Sequence, residues 1–154
     1  MAHNSDCYTC KLSESTENLL LETAHWRVVL ADDQAYLGRS YVVVRDHKKS
    51  LSELSREEWR DFEELVTRIE NGYEKALGSG RPFNWSCLMN NAFQEANPTP
   101  HVHWHLRPRH NAPVAINGQD FEDPEFGFHY SRDRPQLVDQ ITLDEIATRI
   151  RRKL

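Results

Sequence analysis

His101-Val102-His103-Trp104-His105-Leu106-Arg107-Pro108-Arg109 sets a histidine at every second position three times over. Side chains of a strand alternate between its two faces, so this spacing puts all three imidazoles on one face and Val102, Trp104 and Leu106 on the other. A helix would swing the middle histidine away from its neighbours, so the pattern predicts an extended strand. Pro108 cannot donate to a ladder and marks its end. Imidazoles two residues apart lie roughly 6.5 to 7 Å from each other at the Cα, twice the strand rise, which lets two of them share one ligand or one metal. Imidazole is the side chain most easily tuned near neutral pH, as nucleophile, acid, base or ligand. With 8 histidines in 154 residues a chance surface cluster is the competing explanation; the apolar residues interleaved in register speak against it.

Upstream of this strand, Phe83 to Met89 reads as another long strand, with Cys87 as a small buried hydrophobe. Asn90 to Pro100 is an amide-rich loop stiffened by Pro98 and Pro100. Further back lies the clearest helix. Ser55-Arg56-Glu57-Glu58 is a capping box, and Leu54 and Trp59 are placed to form a hydrophobic staple. Trp59, Phe62, Leu65, Val66, Ile69, Tyr73 and Leu77 recur at three- and four-residue steps, and Gly78 is a C-terminal stop. Before it, His25 to Ala31 and Gly38 to Val44 read as two strands of a hairpin around the Asp32-Asp33-Gln34 turn, followed by His47 in a polar loop. Downstream, residues 110 to 135 are irregular, with Phe121, Phe126, Phe128 and Tyr130 as apolar anchors. Thr142-Leu143-Asp144-Glu145 reads as a second capping box with Ile141 and Ile146 as staple, opening a closing helix whose stripe is Leu143, Ile146, Ile150 and Leu154. The basic cluster Arg149, Arg151, Arg152, Lys153 suits a solvated helix C-terminus.

The length fits one domain spanning 1–154 with a real core. Net charge is −5, and 28% of residues are charged against 38% hydrophobic; there is no basic excess of the kind a nucleic-acid binder needs. No apolar run approaches membrane-spanning length, and the first residues, Met1-Ala2-His3-Asn4-Ser5-Asp6-Cys7, lack the apolar segment of a secretory leader. Three cysteines make no disulfide scaffold, so a reducing, cytoplasmic setting is expected. Cys7-Tyr8-Thr9-Cys10 has the spacing that lets two thiolates reach one tetrahedral zinc. A redox pair or two unrelated thiols are the rival readings. A redox motif opens a helix after a strand, and no strand-like run precedes Cys7. The pair is half a metal site, its other ligands open.

The chain resembles the histidine triad (HIT) superfamily. His101-x-His103-x-His105 followed by Pro108-Arg109 matches the family motif, Gly38 to His47 matches the interval from hairpin glycine to histidine, and Asn90 stands eleven positions before the first triad histidine. The likeness covers roughly residues 7 to 109. It implies an α+β, HIT-like fold in which an antiparallel sheet is covered by a long helix, with a C-terminal helix added here and pairing into a homodimer. It further implies chemistry at the α-phosphate of a nucleotide or dinucleoside polyphosphate. His103 would attack phosphorus to give a nucleotidyl-histidine, its other nitrogen held as N–H by an acceptor, and His105 would assist at the phosphate or leaving group. Asn90 would hold a phosphate oxygen or ribose. Family members with a CxxC pair carry structural zinc on positions that correspond here to Cys7, Cys10, His47 and His101. No stable nucleic-acid or membrane partner is implied.

The sequence also departs from the family. Ala96 to Pro100 replaces a small-residue, phosphate-cradling segment and two of its residues lack N–H donors. Ala31 stands at the usual ribose acid, leaving Asp32 as the nearest substitute. Arg107 occupies a position that is usually apolar. Two other functions compete with a HIT-type enzyme. His101 and His103 could together hold a catalytic metal, or the chain could be a non-catalytic, zinc-stabilised nucleotide-binding module.

Overall fold

Alternation and helical periodicity each find their place in a computed structural model, which describes residues 4–14, 16–78 and 82–154. The first three residues, read above for a leader, lie outside them. The described elements run α1 (Tyr8–Glu14), β1 (Leu19–Glu22), β2 (Trp26–Leu30), β3 (Ser40–Val44), α2 (Arg56–Leu77), β4 (Phe83–Ser86), β5 (His103–Pro108), β6 (Val114–Ile116), β7 (Gln119–Phe121) and α3 (Gln140–Arg151). Five strands form one antiparallel sheet in the order β1-β2-β3-β5-β4. The architecture is the α+β one expected from the sequence, an antiparallel sheet covered by a long helix, with a C-terminal helix.

Register sorts the two sheet faces. Val28 pairs with Val42 and Val42 with Trp104; Leu30, Ser40, Leu106 and Trp85 form the next row. This face takes α2, whose Leu65, Ile69, Tyr73 and Leu77 are buried at four-residue steps. The capping box forms as the spacing requires: Ser55 Oγ accepts from Glu58 N–H, and the Glu58 carboxylate accepts from Ser55 N–H. Phe62 is the hub under the helix, because all four tryptophans meet its ring, Trp104 stacked at 5.0 Å and Trp26 at 4.9 Å. Trp59 stays 39% exposed and meets Phe62 at 6.2 Å. Gly38 has φ +84°, and a Cβ there would lie 2.8 Å from Leu77 Cδ1, so only glycine lets the hairpin close against the helix.

The structure differs from these expectations at several points. The strand after α2 ends at Ser86, not Met89, and Asn90–Gln94 is a 3-10 turn. A strand not foreseen, Leu19–Glu22, pairs with β2 across an irregular register. The stretch from 110 to 135 contains the β6–β7 hairpin, whose Asn117 and Gly118 both have positive φ as a type I′ turn demands. Phe128, expected to anchor that stretch, is 78% exposed. Finally, Asp139 and not Thr142 caps α3, accepting from Thr142 N–H at 2.7 Å; Ile141 is left 75% exposed instead of forming a staple. An aspartate three residues upstream of the serine-like cap accepts from the free N–H groups just as well.

Arg109 holds the post-strand segment down. It is 1% exposed and donates to Asp123 at 2.6 and 3.0 Å, to Asn84 Oδ1 at 3.1 Å, to Phe128 O at 2.8 Å and to Glu125 O at 2.6 Å. A buried guanidinium with all its directions satisfied fixes the loop from 121 to 132 against the sheet.

Candidate functional site

The second sheet face carries Tyr41 and Val43 of β3 opposite His105 and His103 of β5. A cleft of about 390 Å³ opens over this face, walled by Tyr8 and Thr9 of α1, by Leu88 to Ala92, and by Tyr130 and Arg132. The three histidines share the face but not the strand. β5 begins at His103; Val102 donates instead to Lys48 O at 2.8 Å, drawing the chain toward the segment that bears His47.

That turn buries His101 beneath the cleft, in a cluster of sulfur and nitrogen donors. Its Nε2–H donates to Val44 O at 2.9 Å, which leaves Nδ1 as the lone-pair nitrogen. Nδ1 lies 3.6 Å from Cys7 Sγ and 3.2 Å from Cys10 Sγ, and Cys10 Sγ lies 3.4 Å from His47 Nδ1. All four donor atoms fall within 4.8 Å of one another. In a tetrahedral site with metal–sulfur near 2.3 Å and metal–nitrogen near 2.0 Å, sulfur–nitrogen edges are about 3.5 Å. Cys7, Cys10, His47 and His101 therefore form a cluster that could hold a metal ion, with the carbonyl of Val44 orienting one ligand from behind. Cys7 immediately precedes α1, and the Cys10 N–H points at Cys7 Sγ at 3.4 Å, folding the pair into a knuckle; no strand precedes it among the described residues. Burial, reinforced by the Cys7 thiol, pushes Cys10 up to about 11, and burial pulls His101 down to about 4. A neutral imidazole is the ligand form, and a cation is what stabilises a thiolate there.

His103 stays at the cleft. Its Nδ1–H donates to the carbonyl of His101 at 2.8 Å, so the neutral ring carries its lone pair on Nε2. Burial holds its pKa below the ordinary imidazole value. The His105 ring lies 4.9 Å away and is packed edge-on by Tyr41 at 5.3 Å. Its Nε2–H reaches Leu88 O only at a long 3.4 Å, and its Nδ1 is buried with no hydrogen-bond partner. Burial, then the positive charges and His103 around it, takes His105 down to about 3. Both rings are neutral near pH 7.

Asn90 lines the same cleft at the head of its 3-10 turn. Asp32 is not brought to it. The turn after β2 leaves that carboxylate exposed, accepting from Asn18 Nδ2 at 3.0 Å. Residues not singled out as site residues do reach the cleft: Arg39, Arg107, Tyr130 and Arg132 converge at its far end. Arg107 was visible as the next residue on the histidine face, but Tyr130 and Arg132 arrive on a loop that Arg109 holds at Phe128 and that Tyr36 and Glu125 hold at Ser131.

A model of the HIT domain matches residues 13–112. The adenosine 5'-monophosphoramidase of Schizosaccharomyces pombe is 30% identical over 107 residues, spanning 68% of this chain and 75% of that protein. Among solved structures, a hypothetical histidine triad nucleotide-binding protein from Sulfolobus tokodaii superposes with a TM-score of 0.67 at 14% identity, over 96% of this chain and 91% of its own. A Zn-bound histidine triad family protein from Mycobacterium smegmatis superposes with a TM-score of 0.55 at 16% identity, over 95% and 94%.

Proposed function

The chain belongs to the HIT domain family, and we propose that it is a nucleotide hydrolase or nucleotidyl transferase reacting at a nucleotide α-phosphate through a covalent nucleotidyl-histidine on His103. The observation that carries this is the 2.8 Å hydrogen bond from His103 Nδ1–H to the His101 carbonyl. It fixes the tautomer, so the Nε2 lone pair is the nucleophile without any prior loss of a proton. Nε2 attacks the α-phosphorus, the Nε2–P bond forms, and the bond to the leaving group breaks with its electron pair leaving on that group, which takes up a proton. Water or another hydroxyl acceptor then attacks phosphorus, the Nε2–P bond breaks, the acceptor's proton goes to solvent, and His103 regains its lone pair. Burial keeps that nitrogen unprotonated near pH 7. His105 sits beside it, placed to hydrogen-bond the phosphate or the departing group, and Asn90 offers an amide donor to a non-bridging oxygen or to ribose.

Zinc on Cys7, Cys10, His47 and His101 is the second part of the proposal. Bound there it supplies no chemistry to the substrate; it ties α1, a wall of the cleft, to the segment entering β5. The rival arrangement, a catalytic metal shared by His101 and His103, is disfavoured by the hydrogen bonds. His101 Nδ1 faces the thiols, and the Nδ1 of His103 is occupied by a carbonyl. A homodimer belongs to the same reading and is checked by sedimentation.

The test is turnover of nucleoside phosphoramidates and dinucleoside polyphosphates by wild type and His103→Ala, with bound zinc measured in parallel. Turnover is expected to vanish while zinc stays. Zinc lost together with activity points to the catalytic-metal arrangement, and a wild type inert on the whole panel yet binding nucleotides points to a binding module.

A further inference from the structure

Arg107 continues the row of His103 and His105 on the cleft face, one strand repeat further on. It is only 4% exposed. Its guanidinium carbon lies 4.2 Å over the Tyr130 ring, which braces one side of the fork. Its Nη1 is nevertheless buried without a hydrogen-bond partner. Other charges beside it have the same sign: Arg39 and Arg132 both act against its protonated form. Arg39 gives its Nη1 to Asp33, yet its Nε is also buried without a partner. No carboxylate among the described residues pairs with Arg107; Glu95, the one acid among the described cleft-lining residues, forms no ion pair with it.

Buried N–H groups left unpaired are costly, and like charges brought together more so. A guanidinium in that state, with its open donors bordering a cleft, matches the geometry of a phosphate, which accepts two parallel N–H bonds and neutralises the charge. Surface arginines that merely face water need no such occupant; this one has lost its water and kept its charge.

We propose that the corner formed by Arg39, Arg107, Arg132 and Tyr130 is a subsite for a second phosphate group of the substrate, distinct from the phosphate that reacts at His103. From His103 to Arg107 the strand advances about 13 Å at the Cα, and the Arg107 charge acts on His105 between them. One substrate molecule spans both positions. The second phosphate comes either from a polyphosphate leaving group or from a phosphate on the nucleoside's own sugar. The assignment rests on His103 being the reacting group, so its test is built to survive the failure of that reading.

Pyrophosphate binding is titrated on His103→Ala protein, where no turnover is needed, alone and combined with Arg107→Met or Arg132→Ala. Arg132 is exposed, so its removal leaves folding intact. Pyrophosphate is expected to bind about 10- to 100-fold more weakly to the Arg107→Met protein, the worth of charge-assisted hydrogen bonds, and several-fold more weakly to the Arg132→Ala protein. Equal affinity in all three overturns the subsite. With His103 intact, kcat/KM is then compared on adenosine 5'-phosphoramidate, diadenosine tetraphosphate and an adenosine 5'-phosphoramidate bearing a 3'-phosphate. The loss caused by Arg107→Met is at least about tenfold greater on whichever two-phosphate compound fills the corner, which identifies the source. An equal loss on all three compounds also overturns the subsite. His103→Ala protein that still turns over substrate removes the nucleophile, and leaves the pyrophosphate result standing by itself.

Discussion

Asp123→Ala isolates the ion pair that holds the cleft's far wall. Arg109 and Asp123 keep only 2% of their side-chain surfaces exposed. The substitution removes the acceptors of Arg109 Nε at 2.6 Å and Nη2 at 3.0 Å, together with the 3.2 Å bond from Glu125 N–H. Stranding one member of a buried pair costs about 3 to 5 kcal/mol. Here Asn84 Oδ1, Phe128 O and Glu125 O still accept from the guanidinium, so the lower end, about 3 kcal/mol, is expected. For a chain of this length that corresponds to a fall in Tm of roughly 6 to 12 °C. The assay is denaturant and thermal unfolding of wild type, Asp123→Ala, Arg109→Met and the Arg109→Met/Asp123→Leu double variant. The double variant is expected to be less unstable than the sum of the singles, because an apolar pair removes the stranded charge, though it stays below wild type because Asn84 Oδ1, Phe128 O and Glu125 O lose their donor. A loss below about 1 kcal/mol for Asp123→Ala means that the pair does not anchor the loop. So does a double variant as unstable as the sum of the singles.

Three further outcomes follow from the same geometry. Cys10→Ser lowers bound zinc from roughly one per chain, by metal analysis, and lowers Tm, since a hydroxyl is a poor zinc ligand; unchanged zinc removes Cys10 from the metal cluster. Burial depresses the pKa of His110, whose Nε2–H donates to Leu37 O at 2.9 Å. Its contribution to stability is thus complete above the unfolded value near 6.5 and is lost as pH falls through the lower folded value. His110→Gln, which keeps a donor at the same reach, flattens the acid slope of unfolding free energy by up to about 1.4 kcal/mol per pH unit; identical slopes count against a buried neutral imidazole. Phe62→Ala costs about 3 kcal/mol by emptying the centre of the tryptophan cluster, and a loss under 1 kcal/mol in urea unfolding shows that the rings close over the gap.

The parts legible in the sequence were those governed by local rules. Alternation placed the histidines on one face, and the four-residue stripe with its Ser55 and Glu58 box fixed the long helix almost to the residue. The strand Leu19–Glu22 has no alternation to announce it, being four residues against an irregular register. The Asn117-Gly118 turn did carry a hairpin signal, but its strands are three residues each and vanish within a proline-punctuated stretch. The cap of the last helix shifted because several side chains can accept from the same free N–H groups, and Asp139 competes with Thr142 for the role. At the site, the reading of His101 as distinct from its two neighbours came from family resemblance. Its physical cause, the Val102 to Lys48 hydrogen bond that bends the chain before β5, is a long-range contact. The same holds for Tyr130 and Arg132, which come to Arg107 through contacts of Arg109 and Tyr36 with residues 123 to 131. Asp32 lies off the cleft, bonded to Asn18, for the converse reason: nearness in sequence to a strand end says nothing about which way the turn points.

Nucleophilic attack by His103 is tested most directly by rapid quench of wild type with a dinucleoside polyphosphate, followed by intact-mass and peptide mass spectrometry under alkaline conditions that preserve phosphoramidates. A mass increase of one nucleoside monophosphate, located on His103 and missing from the His103→Ala protein, is the expected result. Turnover with no covalent adduct at any quench time, or an adduct on another residue, contradicts it.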